Sequence, residues 1–128
     1  MRMILMLAIA GAFGTLSRYG LGGLTQRVTG TGFPYGTLII NVLGCFVMGF
    51  VIQLALHSSL ISPSTRMIIT IGFLGAFTTF STFSFDTTEF LNDGAWLQAL
   101  LNLGLNLGLG MGATVIGSLL GKVTAGRI

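Results

Sequence analysis

The stretch Gly72–Ser84 reads GFLGAFTTFSTFS, and its composition decides the fold of an already apolar chain. Phe77, Phe80 and Phe83 recur every three residues, the spacing of an aromatic packing stripe on a helix. Thr78, Thr79, Ser81, Thr82 and Ser84 fill the gaps, so the same helix presents polar groups on every side. A helix buried only for packing has no use for them. Gly72 and Gly75 stand just ahead of residue 79, the middle of the apolar segment, and glycine weakens a helix. A break there frees backbone carbonyls, which a membrane tolerates only where protein, water or an ion satisfies them. No carboxylate lies beside these positions, so the cation that suits them is monovalent and held by neutral oxygens, rather than calcium or magnesium.

That the setting is a membrane follows from composition. Of 128 residues, 52% are hydrophobic and 7% charged, a balance foreign to soluble globular chains. The length allows one domain, 1–128. Turn signals at VTGTGFPYG, HSSLISPS and NDGA divide it into four apolar segments, at 3–27, 36–57, 66–92 and 95–121. Each is long enough to cross roughly 30 Å as a helix. The fold class is therefore an all-α membrane protein with four transmembrane helices, the third broken near the midplane. The start, MRMILMLAIAGA, has the outline of a signal peptide, but apolar character runs on past it with no polar mature region, so it reads as the first span. Cys45 is the single cysteine and lies in an apolar run, where it reads as a small buried hydrophobe.

Four spans put both termini on one side. Arg2, Arg66, Lys122 and Arg127 belong to that side, against Arg27 and, inside the first span, Arg18 on the other. Basic residues favour the cytoplasm, so the terminal side faces inward by a modest margin that leaves room for insertion in both orientations. The net charge of +3 thus bears on topology, and no clustered basic face suggests nucleic acid. No catalytic set, metal cluster or phosphate loop is present in the sequence, which argues against an enzyme.

Asn41 lies in the second span with Thr37 four residues before it on the same helix face. In the fourth span Asn102, Asn106 and Gly110 share one face while Gly104, Gly108 and Gly112 share the opposite one. The small face reads as a packing surface of a tight bundle or oligomer. Membrane asparagines commonly join helices by hydrogen bonds, but three of them also offer neutral amide donors that can stand in for the water around a small anion. Arg18 and Asp86 sit at matching depth and are expected to pair, whereas Glu89 and Asp93 are expected to be solvated and His57 interfacial.

With GTLIIN in the second span and GFLGAFTTFSTFS in the third, on a four-span chain of this length, the sequence resembles the Fluc (CrcB) family of fluoride channels. The resemblance implies an antiparallel, dual-topology homodimer in the inner (plasma) membrane of a bacterium, with two pores that let cytoplasmic fluoride leave passively. It implies a structural sodium ion (Na+) at the dimer centre, held by the backbone carbonyls of Gly75 and Thr78. It implies that Phe80 and Phe83 present their positive ring edges to the anion, beside Asn41 and a polar track of Thr37, Ser81, Thr82, Ser84, Asn102 and Asn106, with Arg18 at a vestibule. Asp86 stands where relatives of that family carry Glu. The rival of the same size is a small four-span drug/proton antiporter, which needs a carboxylate in its first span, and this first span has none.

Overall fold

The computed structural model describes residues 1–126; Arg127, counted above among the charges of the terminal side, lies outside them. The described chain is helical, with four segments long and apolar enough to cross a membrane. Three are continuous: α1 (Arg2–Thr29), α2 (Tyr35–His57) and, last in the chain, α5 (Trp96–Ala125). The third segment, Pro63–Asn92, is divided into α3 (residues 63–77) and α4 (Phe80–Asn92).

The sequence accounts for where the helices stop. α1 closes at Gly30, whose φ of 82° suits a residue without a Cβ and whose N–H reaches the Gln26 carbonyl at 2.9 Å. α3 opens with Ser62, which accepts the Thr65 N–H on its side chain at 3.1 Å, followed by Pro63 in the first turn. Gly94, at φ 70°, turns the chain from α4 into α5. The boundaries expected from turn signals hold to within a few residues. α3 begins three residues early because the Ser-Pro pair is a cap rather than loop, and α5 runs four residues past the expected 121, to Ala125.

Odd and even spans pair separately. Gly72 lies against Leu7 and Ala10, Gly14 against Phe73 and Ala76, and Arg18 against Thr78, so α1 and α3 rise together. In the same way Asn41 meets Asn106, Cys45 meets Gly110, Phe46 meets Gly117 and Phe50 meets Gly121, which makes α2 and α5 parallel neighbours along most of their length. The approach is close because the residues at the contact are glycines facing backbone, the usual way to gain dispersion contact where lipid removes the hydrophobic drive. Ile40, Leu74 and Phe77 form a small apolar core where the two pairs meet.

Within the protomer the small face of the fourth span is not a packing surface. Gly104, Gly108 and Gly112 are exposed and have open space where a Cβ would stand, while Gly110, Gly117 and Gly121 are buried against α2. Burying an amide without a partner is costly, so α5 turns Asn102 and Asn106 inward, and the small face is left outside.

The break lies where the midpoint argument puts it, at Thr78 and Thr79, whose φ, ψ of −80°, 159° and −148°, 115° are extended. Gly72 and Gly75 do not themselves interrupt the helix. Residues Ile68–Leu74 form a widened π turn, in which Gly72 presses on α1, and helix continues through Gly75 to Phe77. A side chain at residue 117 would meet the Phe46 carbonyl. Gly117→Val is therefore expected to lower stability by about 1–3 kcal/mol, the cost of overpacking, read by denaturant titration of Trp96 fluorescence; an unchanged midpoint would contradict the close α2–α5 contact.

Candidate functional site

Interrupting a helix leaves amide and carbonyl groups without partners, and at membrane depth water does not supply them. Here one side chain does. Asn41 Oδ1 accepts the Thr79 N–H at 2.9 Å, and Asn41 Nδ2 donates to the Thr79 carbonyl at 3.1 Å. Thr79 in turn caps α4, its Oγ1 accepting the Thr82 N–H at 3.2 Å while donating to Thr82 Oγ1 at 2.9 Å. In an uninterrupted helix those two N–H groups would bond the carbonyls of Gly75 and Thr78. Their diversion releases the two carbonyls on which the resemblance puts a cation, and the donor chemistry, neutral oxygen, fits a monovalent one. Arg18 Nη1 donates to the Thr78 carbonyl at 3.3 Å.

A chain of amides runs outward from this clamp. Asn41 Nδ2 also donates to Asn106 Oδ1 at 3.0 Å. Asn106 Nδ2 donates to the Oδ1 and carbonyl of Asn102, both at 3.0 Å. Asn102 Nδ2 donates to Thr87 Oγ1 at 2.8 Å and the Phe83 carbonyl at 3.4 Å. Asn102, Asn106, Thr79 and Thr87 are all buried. The chain ties α2, α5, the break at Thr79 and α4 into one unit.

Two open grooves flank Thr79. One, about 270 Å³, is walled by Asn41, Thr79, Phe80, Phe83 and Asn106, with Cys45 and Thr114 beyond. The other, about 410 Å³, holds Arg18, Thr37 and Thr82. Phe80 and Phe83 meet edge-on, with centroids 5.5 Å apart and planes at 63°. Phe83 is 5% exposed and Phe80 76%, so the pair runs from the interior to the protomer surface. In an edge-to-face pair the positive edge of one ring meets the negative face of the other, and both rings line the first groove. Ser81 is exposed and Ser84 half-buried on α4, and neither lines either groove.

Two expectations change. Arg18 and Asp86 have different partners: Arg18 bonds the Thr78 carbonyl, and Asp86 accepts from the Thr37 hydroxyl at 3.5 Å. Matching depth brought neither to the other, because the Thr78 carbonyl lies at the break, within reach of α1, whereas Asp86 lies on α4, within reach of Thr37 on α2. Cys45 is half-buried and lines a groove instead of lying in a core. Thr79 and Thr87 are junctions that sequence reasoning passed over; the signal for Thr79 was a threonine three residues ahead of a second hydroxyl residue, Thr82, the spacing of a helix cap.

The sequence matches the family described as CrcB-like protein, Camphor Resistance (CrcB), over residues 5–118. A protein of Geobacter sp. (strain M21) named fluoride-specific ion channel FluC is 45% identical over 95% of this chain and 98% of its own. Proteins of the same name from Dehalococcoides mccartyi (strain CBDB1) and Nitrosococcus oceani are 46% and 52% identical, over 94% and 76% of this chain and 92% and 78% of theirs. Since the two residues have separate partners, a cycle of Arg18→Gln and Asp86→Asn should be additive in unfolding free energy to within about 0.5 kcal/mol. Coupling well above that would restore the pair. Thr79→Ala, which removes the α4 cap, is expected to cost about 1 kcal/mol in the same assay.

Proposed function

The chain belongs to the CrcB-like family, and from that membership we propose that it is a fluoride channel that lets cytoplasmic fluoride leave the cell passively. Fluoride enters cells as the neutral acid and is trapped inside as the anion, so a passive exit lowers its concentration. The ion is small and strongly hydrated. Its pore must therefore offer many donors in place of water and stay narrow. The observation that carries the reading is the edge-on pair Phe80 and Phe83 beside the interrupted helix, in a groove that also holds the Asn41 amide and the Thr79 hydroxyl. Thr37, Ser81, Thr82 and Ser84 supply further hydroxyls along α2 and α4, and Asn102 and Asn106 on α5 stand behind Asn41 in the hydrogen-bonded chain. Arg18, in the second groove, attracts anions to its mouth.

The channel is proposed to be an antiparallel, dual-topology homodimer with two pores. Support comes from what a single protomer leaves unfinished: Phe80 stands exposed at an open groove, and Gly104, Gly108 and Gly112 offer a flat outward face. A second copy would wall the groove. A sodium ion at the dimer centre would be held by the carbonyls of Gly75 and Thr78 from each protomer, and would balance the charge of four converging dipoles. A drug/proton antiporter would need a carboxylate on α1, and Arg2–Thr29 has none.

Purified protein in liposomes should release fluoride far faster than chloride, and Phe80→Ile and Phe83→Ile should abolish release while the dimer still forms by cross-linking. Equal permeation of the two anions, or wild-type release from both variants, would sink the proposal.

A further inference from the structure

Each of the three membrane asparagines has two amide protons, and the hydrogen bonds of Asn41, Asn102 and Asn106 engage every one with a protein acceptor. A donor already bonded cannot hydrate an ion without leaving a buried carbonyl unpaired, which is costly in a low dielectric. The three are nonetheless unequal in position. Asn41 is half-buried at the groove wall and bonded to Thr79 itself, whereas Asn102 has no exposed surface. Asn102 also holds the carbonyl of Phe83, the residue whose ring runs into the groove, and Thr87 Oγ1 holds the same carbonyl at 2.8 Å.

Resting on the fluoride reading above, we infer that Asn102 and Asn106 are positioning residues that touch no ion: Asn106 fixes the rotamer of Asn41 and hence the clamp on Thr79, and Asn102 fixes Asn106 and the backbone of Phe83. The relay has a direction. One Asn41 proton goes to the Thr79 carbonyl at the break, and from there the side-chain links run inward, Asn41 to Asn106 to Asn102 to Thr87, so the amide plane of each asparagine is set by the next, and Asn102 is anchored by the α4 backbone and Thr87. Asn106 lines the groove with both of its protons engaged by Asn102, and its loss frees the Asn41 amide to rotate, which opens the clamp while the phenylalanine rings and the Thr79 hydroxyl stay in the wall. The conduction donors are then the ring edges, the hydroxyls and whatever Asn41 releases when an ion passes.

The test is a double-mutant cycle with a second readout independent of transport. Asn106→Ala and Asn41→Ala, singly and together, are compared for fluoride release from liposomes and for hydrogen exchange at the Thr79 backbone amide. Each single variant is expected to slow release by roughly tenfold or more, and the double variant to be no slower than Asn41→Ala, because both act through one group. Thr79 exchange should accelerate in all three. Losses that multiply, or unchanged Thr79 exchange in Asn106→Ala, would overturn the relay. If the wild type releases no fluoride, the channel reading fails and the exchange arm alone decides the relay. If Asn106→Ala does not fold, wild-type protein labelled with nitrogen-15 at its four asparagines decides instead: a fluorine–proton contact from bound fluoride to the NH2 of Asn102 or Asn106 overturns the inference, and its absence from both upholds it.

Discussion

The two hydrogen bonds between the Asn41 side chain and the backbone of Thr79 are the constraint on which the rest of the site depends. A helix interrupted inside hydrocarbon leaves an N–H and a carbonyl that nothing in the lipid will accept. One amide, with a donor and an acceptor side by side, matches a peptide group in the way a neighbouring strand would. The match fixes the depth of α2 relative to the break. It also fixes α5, because the remaining proton of Asn41 must be accepted by Asn106.

From that clamp the electrostatics of the site follow. Thr79 N–H goes to Asn41 and Thr82 N–H goes to the Thr79 hydroxyl, so the carbonyls of Gly75 and Thr78 lose the donors that an uninterrupted helix would give them. Arg18 answers one of them. Within a short distance the interrupted helix thus offers carbonyl oxygen on one side and, at the start of α4, hydroxyls and ring edges on the other. The two new ends of a broken membrane helix have dipoles of opposite sense, one presenting carbonyl oxygens and the other N–H groups.

Glycine gives the fold its tightness where the hydrophobic effect cannot. α2 approaches α5 through Gly49, Gly117 and Gly121, and α1 approaches α3 through Gly14 and Gly72, in each case against backbone atoms of the neighbour. The large apolar side chains point the other way, as Leu5, Ile9 and Phe13 do on α1 and Leu97, Leu100 and Leu101 on α5. This is the inverse of a soluble bundle, in which large residues meet at the core. Such an outside suits lipid or a second copy of the chain.

How much of this was legible beforehand differs between fold and site. Composition and turn residues by themselves determined four membrane helices and their ends, because crossing the hydrocarbon takes about 20 apolar residues and the signals between them are local. They also pointed to an interruption of the third helix, through the hydroxyls at its middle, although the glycines ahead of it lie within helix and Gly72 packs against α1. Tertiary structure alone decided which groups satisfy the interruption. The link from Asn41 to Thr79 spans 38 residues, and the link from Asn41 to Asn106 spans 65; no periodicity within one helix carries information about such pairs. For the same reason depth did not predict the partner of Arg18, and spacing did not say which glycine face of α5 is inside. Depth and spacing are one-dimensional quantities, while rotation about the helix axis is settled only when every buried amide has found its acceptor.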